Sequence, residues 1–261
     1  MKKAEGFILG IKKYKFLFEE LVKRDFKKKY KRTVLGMVWS VLSPLLTLVV
    51  MKVVFTGFFG RTIEYYTTYL FIGNIVFSYF NMSTNQGMMA LASNAGIFSK
   101  VNVPKYLFVI ANNISSLFNF LLTLIVLFLF AAFDGIHFGW HFFMLLYPII
   151  CLIMLNVGVS LILSAAFIFF RDTQYLYSVF TLMLMYLSAI FYDVSTFSAR
   201  YQNLFLLNPV YDVIKYFRLI MIDGSIPSIQ FHVIVAIAGI VPLLLGFHMY
   251  KKYDQKFMYY V

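Results

Sequence analysis

The residues able to do chemistry are few and poorly clustered. His137 and His141 stand four apart, as two metal ligands on one helical face would, but no third ligand follows, so ordinary interfacial histidines fit better. Glu19-Glu20 pairs two carboxylates on a strongly basic stretch, a poor place for metal or general-base work. The single Cys151 lies inside an apolar run, which excludes an internal disulfide and argues against a catalytic thiol. No G-x-x-x-x-G-K-[ST] occurs, so the chain has no P-loop for ATP. No carboxylate falls mid-way along an apolar run, which argues against transport driven by protons or sodium.

What remains is the chemistry of recognition. Asn74, Ser78, Asn81 and Asn85 step by three and four along one apolar run, and Asn112, Ser116, Asn119 and Thr123 along the next. Asn156, Ser160 and Ser164 form a third stripe. In hydrocarbon such stripes must face protein or water, so they either glue helices or line a path. Aromatic residues make up 20% of the chain. Tyr65, Tyr66, Tyr250 and Tyr253 suit an interfacial belt, whereas Phe77, Tyr79, Phe80, Tyr177, Phe180 and Tyr186 sit well inside apolar runs. Such rings either pack a core or present faces to sugar C–H groups and hydroxyls to sugar hydroxyls.

The elements carrying these residues are membrane helices. A mean hydropathy of +0.80, with 61% apolar and 13% charged residues, places the chain far outside the soluble range. The expected fold is all-α and polytopic, with six spans near 34–59, 65–91, 106–133, 141–170, 175–192 and 228–250. A barrel would show short alternating strands instead. Ahead of the first span, residues 12–31 alternate apolar and charged positions at helical spacing and predict an amphipathic interfacial helix.

Twelve of the 23 Lys and Arg lie in residues 1–32, so the net charge of +12 reflects contact with anionic lipid rather than nucleic acid. About 33 mostly amphipathic residues before the first run are too many for the n-region of a cleavable signal. With both ends cytoplasmic, the inner segments carry 18 Lys and Arg and the outer ones four, as the positive-inside rule requires. Lys52 is placed to snorkel near the outer end of the first span. The divisions are 1–33 (interface helix), 34–250 (spans, with a cytoplasmic loop at 92–105 and an outer re-entrant segment at 193–227) and 251–261 (cytoplasmic tail). Within the re-entrant segment, Asn208, Pro209 and Gly224 read as N-cap, first helical residue and stop signal.

The run from Glu20 to Leu46 resembles the opening of type-2 ABC exporter membrane subunits for cell-surface polysaccharides such as O-antigen, teichoic acid and rhamnose-rich glycans. The matching features are Tyr30, Leu35-Gly36, Trp39 and Ser43-Pro44 after a basic amphipathic helix. Phe98–Tyr106, Phe169–Tyr175 and Leu206–Arg218 follow as further matches in order, so the likeness spans the chain. Ser43 replaces an Asn common in the family, and Ala189 stands where a Ser-Pro pair is common.

That resemblance implies a homodimeric pore with two copies of a separate ABC ATP-binding subunit, which holds ATP and Mg2+; this chain would carry no cofactor and no catalytic site. The cargo would be an undecaprenyl-pyrophosphate-linked polysaccharide, moved outward across a bacterial plasma membrane. A drug, antibiotic or lipid exporter of the same superfamily is the alternative, and a membrane glycosyltransferase a third. ATPase coupling falls to Phe18, Leu21, Val22, Phe26, Phe98, Lys100, Pro104 and Lys105. The sugar path draws on Trp39, Phe55, Phe77, Tyr79, Phe80, Asn81, Tyr177, Phe180 and Tyr186, and the outer gate on Asn208, Pro209 and Arg218. Arg171 and Asp172 are expected as a cytoplasmic ion pair rather than a proton relay. The collar of Lys28, Lys29, Lys31 and Arg32 either docks pyrophosphate or simply anchors the chain to lipid.

Overall fold

A computed structural model describes residues 14–31, 35–59 and 63–260, with no account of the side chains at 28–30, 58–59 and 199. Among the described residues the regular structure is helical throughout. Helix α1 spans Lys15–Tyr30, and after a 3-10 turn at Gly36–Val38, α2 spans Trp39–Phe59. Then come α3 (Tyr66–Ser93), the single turn α4 (Ala95–Phe98) and α5 (Tyr106–Phe133). A 3-10 turn at Trp140–Leu145 leads into α6 (Leu146–Phe169), followed by α7 (Thr173–Leu187). Two short helices, α8 (Ala199–Phe205) and α9 (Pro209–Met221), precede α10 (Ile229–Tyr253) and a 3-10 turn at Lys256–Tyr259.

Helices α2, α3, α5, α6, α7 and α10 occupy the six expected runs. Among the described residues, the segments Gly36–Gly57, Tyr106–Phe133, Trp140–Phe169 and Ile229–Tyr253 are long and apolar enough to cross a membrane. This is a polytopic membrane protein. Helix α3, at 28 residues, is as long as α5, but its polar stripe lowers its hydropathy, and protein buries it on most sides.

The fifth run departs from expectation. Helix α7 stops at Leu187, five residues short of the expected end, and its 15 residues rise only about 22 Å. Ala189 then adopts a left-handed φ of 49° and turns the chain aside. The helix therefore breaks where the family's Ser-Pro pair would stand, without a proline.

Close packing of α10 on α6 rests on glycine. A Cβ on Gly158 would meet the Leu243 nitrogen at 2.3 Å and the Pro242 carbonyl carbon at 2.4 Å. Those are backbone atoms, so neither can swing away, and the close approach supplies the van der Waals contact that holds helices together in lipid. Gly158→Val is expected to cost about 3 kcal/mol or more and to abolish monodisperse protein in detergent. Recovery of normal amounts with a normal melting curve would refute the tight seam.

Helix α9 is wrapped by protein. Its N-cap forms as the sequence predicts: the Asn208 carboxamide oxygen accepts from the Val210 N–H at 3.0 Å, with Pro209 in the first turn. Val210, Val213, Ile214, Tyr216, Phe217 and Ile220 are buried against α3, α6 and the Trp140–Leu145 turn. The Tyr216 hydroxyl bonds His232 Nε2 at 2.8 Å, while His232 Nδ1 donates to the Ser228 carbonyl at 2.9 Å. Because a carbonyl only accepts, Nδ1 carries a proton, and the ring is held between α9 and the start of α10. At the same end, the Thr68 N–H and hydroxyl both donate to Asp134, tying the start of α3 to the end of α5.

Candidate functional site

The polar stripes of α3 and α5 face each other across a cavity of about 500 Å3, which α2 closes from the third side. Helix α2 supplies Trp39, Ser40, Ser43 and Thr47; α3 supplies Asn74, Ser78 and Tyr79; α5 supplies Asn119, Phe120 and Thr123. Three- and four-residue spacing puts each set on one helical face, and the antiparallel course of the helices brings the sets to one level. The Ser40 hydroxyl donates to Asn119 Oδ1 at 2.9 Å, and the Asn119 amide donates to the Ser115 carbonyl at 3.1 Å. Tyr79 stacks on Phe120 at 4.5 Å. Thr47 and Ser78 are exposed, so the cavity opens beside the apolar outer face of α2, where Val49, Val50 and Val53 point away from the bundle. Aromatic faces among amides and hydroxyls, in a volume of this size, suit a polyhydroxylated ligand.

The other residues expected on a sugar path are scattered. Only Trp39 and Tyr79 line the cavity. Phe77 and Phe80 are core residues, Asn81 Oδ1 accepts from the Asn85 amide at 2.6 Å, and Phe55 stacks on Phe191 at 4.5 Å. The buried Tyr177 hydroxyl donates to Thr84 at 2.6 Å. Phe180 and Tyr186 lie on the outward face of α7 together with Leu176, Val179 and Met183. Thus α2 and α7 present bare apolar faces, as do α5 (Ile125, Leu129) and α10 (Ile237, Leu244), and the polar cavity lies behind α2.

At the opposite end from α9, the expected coupling residues form a second core. Leu21 and Phe98 are buried, Phe18 and Val22 pack beside them, and Phe26 meets Phe118 edge-on at 6.1 Å. Pro104 is half-buried and Lys100 is exposed. Lys105 turns inward instead, its ammonium 3.0 Å from Asp254. Arg171 and Asp172 form no ion pair with each other: both are exposed, and the Arg171 guanidinium lies 4.8 Å over the Phe167 ring. Asp172 instead starts α7, where the helix dipole favours an anion. Lys31 lines a surface groove of about 770 Å3 with Glu20, Lys23, Arg24, Phe26, Lys27 and Met37, in which Lys23 pairs with Glu20 at 3.0 Å and Arg24 with Asp25 at 2.7 Å. Arg32 and the side chains of Lys28 and Lys29 lie outside the described residues.

The three expected gate residues converge on the break after α7. The Asn208 amide donates to the Leu187 carbonyl at 3.1 Å and to the Ser188 hydroxyl at 3.0 Å. Arg218 donates to the carbonyls of Ala189 at 2.9 Å, Ile190 at 3.2 Å and Tyr69 at 3.4 Å, and its guanidinium lies 3.4 Å over the Tyr69 ring. Gly73 makes room for this, since a Cβ there would stand 3.1 Å from the guanidinium. Arg218 also lines an outer hollow of about 260 Å3 with Lys215, Glu64, Asp193 and Asp223. Burial, then the charges of Asp193 and Glu64, pushes the Asp223 carboxyl above the usual range.

Sequence reasoning missed the Gly158 seam, the Tyr216–His232 pair and the Lys105–Asp254 ion pair. The first was signalled only by a small residue in an apolar helix, and the other two join residues distant in the chain.

The chain is 25% identical over 249 residues to the O-antigen export system permease protein RfbA of Myxococcus xanthus, covering 94% of this chain and 95% of that one. It is 26% identical to the protein of the same name from Klebsiella pneumoniae, over 93% and 95% of the two chains. Identity to the polysialic acid transport protein KpsM of Escherichia coli is 23%, over 94% and 96%. The family model for the ABC-2 type transporter matches residues 17–222, and the chain belongs to that family.

Proposed function

We propose that this chain is the membrane-spanning subunit of an ATP-driven exporter that carries a lipid-linked polysaccharide from the cytoplasmic to the outer face of a bacterial plasma membrane. The observation that carries this reading is the cavity between α2, α3 and α5, where Trp39, Tyr79 and Phe120 stand among Asn74, Ser78, Asn119 and Thr123. Rings beside amides match a glycan better than a wholly apolar drug. The names of the relatives, O-antigen permeases and a polysialic acid transporter, agree with it.

Two copies would meet through the bare faces of α2 and α7, which lets a path form between protomers. A chain with no P-loop needs a separate ATP-binding subunit, and α1 with α4 offers the surface for it. The collar of Lys28, Lys29, Lys31 and Arg32 at the membrane entry would hold the pyrophosphate of the lipid carrier, and of these Lys31 lines the groove beside Lys27.

Reconstituted vesicles test the reading. The purified chain and its cognate ATP-binding subunit are expected to move a labelled undecaprenyl-pyrophosphate glycan on addition of Mg-ATP, and neither subunit alone does so. Hydrolysis stimulated by apolar drugs but not by the lipid-linked glycan would assign the other cargo class.

A further inference from the structure

The segment after α10 does more than trail from the last span. Phe257 is fully buried, its ring 5.1 Å from Tyr250 and 5.8 Å from Phe169, and this pins the turn at Lys256–Tyr259. Tyr250 is held in turn by a 2.8 Å bond between its hydroxyl and that of Ser164 on α6. Tyr260 lies 5.0 Å from Phe169. Asp254 reaches back to Lys105, 149 residues earlier, at 3.0 Å. The Lys105 side chain is 8% exposed and its partner 52%, so the carboxylate compensates an ammonium that the fold has taken out of water. On the far side, the Tyr14 hydroxyl donates to the Asn102 carbonyl at 3.2 Å. Helix α1, the loop 94–105, the end of α6 and residues 254–260 therefore pack as one block.

The surface of this block is continuous. Met258 borders Ala95, Gly96 and Ser99 in a hollow of about 180 Å3. Met258, Tyr259 and Tyr260 are all exposed, Tyr259 at 86%, and Val101 is exposed within the loop. Lys100 of the loop is exposed, as are Lys252 and Lys256, whose ammonium groups lie 5.5 and 5.8 Å over the Tyr253 ring. An apolar centre rimmed by cations, rigidly tied to a loop, suits a folded partner with an acidic rim.

We propose that residues 254–260 and the loop 94–105 form one docking face for the ATP-binding subunit, held in register by the Lys105–Asp254 ion pair. The proposal rests on the exporter reading above and adds a contact element to it. A push delivered to α4 is then shared between α3 and α10, because the ion pair and the common packing of Phe98, Tyr250 and Phe257 tie the loop to the end of α10.

Site-directed labelling separates the two ideas. The lone native thiol is replaced by Cys151→Ala, and single Gly96→Cys and Tyr259→Cys variants are treated with a polyethylene-glycol maleimide in inside-out vesicles. Gly96 has open space around its Cβ position, so the new side chain fits. Saturating ATP-binding subunit is expected to slow the labelling of both cysteines by at least about tenfold. Protection at 96 without protection at 259 overturns the proposal and leaves the exporter reading intact. Protection at neither position removes both. A 259 cysteine that is unreactive even without the subunit lies in lipid, which also overturns the proposal. The ion pair is tested separately. Lys105→Glu is expected to lower glycan export at least about tenfold, and Lys105→Glu with Asp254→Lys to restore most of it. No restoration at normal membrane abundance would show that the pair does not set the register.

Discussion

Replacing Arg218 with methionine is expected to leave almost no folded protein. The guanidinium donates to three backbone carbonyls, those of Tyr69, Ala189 and Ile190, and lies against the Tyr69 ring. Two of these carbonyls belong to the chain break after α7, where helical bonding has ended and nothing else in the ladder can satisfy them. Methionine fills similar space but donates nothing, so buried acceptors are stranded at about 1–3 kcal/mol each. The cost falls below the sum, because the wild-type guanidinium is itself taken out of water, and about 3–5 kcal/mol is the expected net loss.

Arg218→Lys is expected to recover only part of this. An ammonium is a point donor and cannot span three acceptors as the planar fork does, nor stack on the ring. The check is thermal unfolding in detergent, followed by size-exclusion profile, for both variants and the wild type. A methionine variant within about 1 kcal/mol of wild type would mean that the break after α7 is held by other contacts. Such a result would also remove the argument that Arg218, Asn208 and Gly73 act as one clamp.

The clamp marks the boundary of what sequence could supply. Asn208-Pro209 announced the start of α9 because capping chemistry is local: one side chain reaches a backbone N–H two residues away. The basic run before α2 announced the membrane entry because charge and hydropathy are additive along the chain. The polar stripes were legible as stripes, since helical periodicity assigns each residue a face. Which stripes would face a common space was not legible, because that depends on how α2 crosses α3 and α5. The break after Leu187 was hidden for another reason. An alanine at φ 49° is strained, and the bonds that Arg218 and Asn208 donate around the break, with the space Gly73 leaves for them, hold that conformation in place. Lys105 read as a loop cation for a partner, and its inward pairing with Asp254 needed the course of α10 to be known.

Filling the cavity behind α2 is expected to stop export without unfolding the protein. Ser78 lies on the open side, and its hydroxyl makes only a long 3.5 Å bond to Asn74 Oδ1. Ser78→Ala should therefore export at close to the wild-type rate. Ser78→Trp places an indole in the space that a sugar ring would need, while the buried faces of α3 and the block around Lys105 and Asp254 are untouched. Membrane abundance and ATP hydrolysis should hold, and glycan export should fall at least about tenfold, equivalent to about 1.4 kcal/mol on the transport barrier. Asn119→Leu supplies an independent arm: it removes an amide from the far wall, and with it the 2.9 Å bond from the Ser40 hydroxyl. If both variants export normally, the cavity is packing space and the cargo travels only between the exposed faces of α2 and α7. If Ser78→Trp fails while Ser78→Ala succeeds, occupancy of this one volume governs passage. The aromatic and amide residues around it then act as the walls of the path.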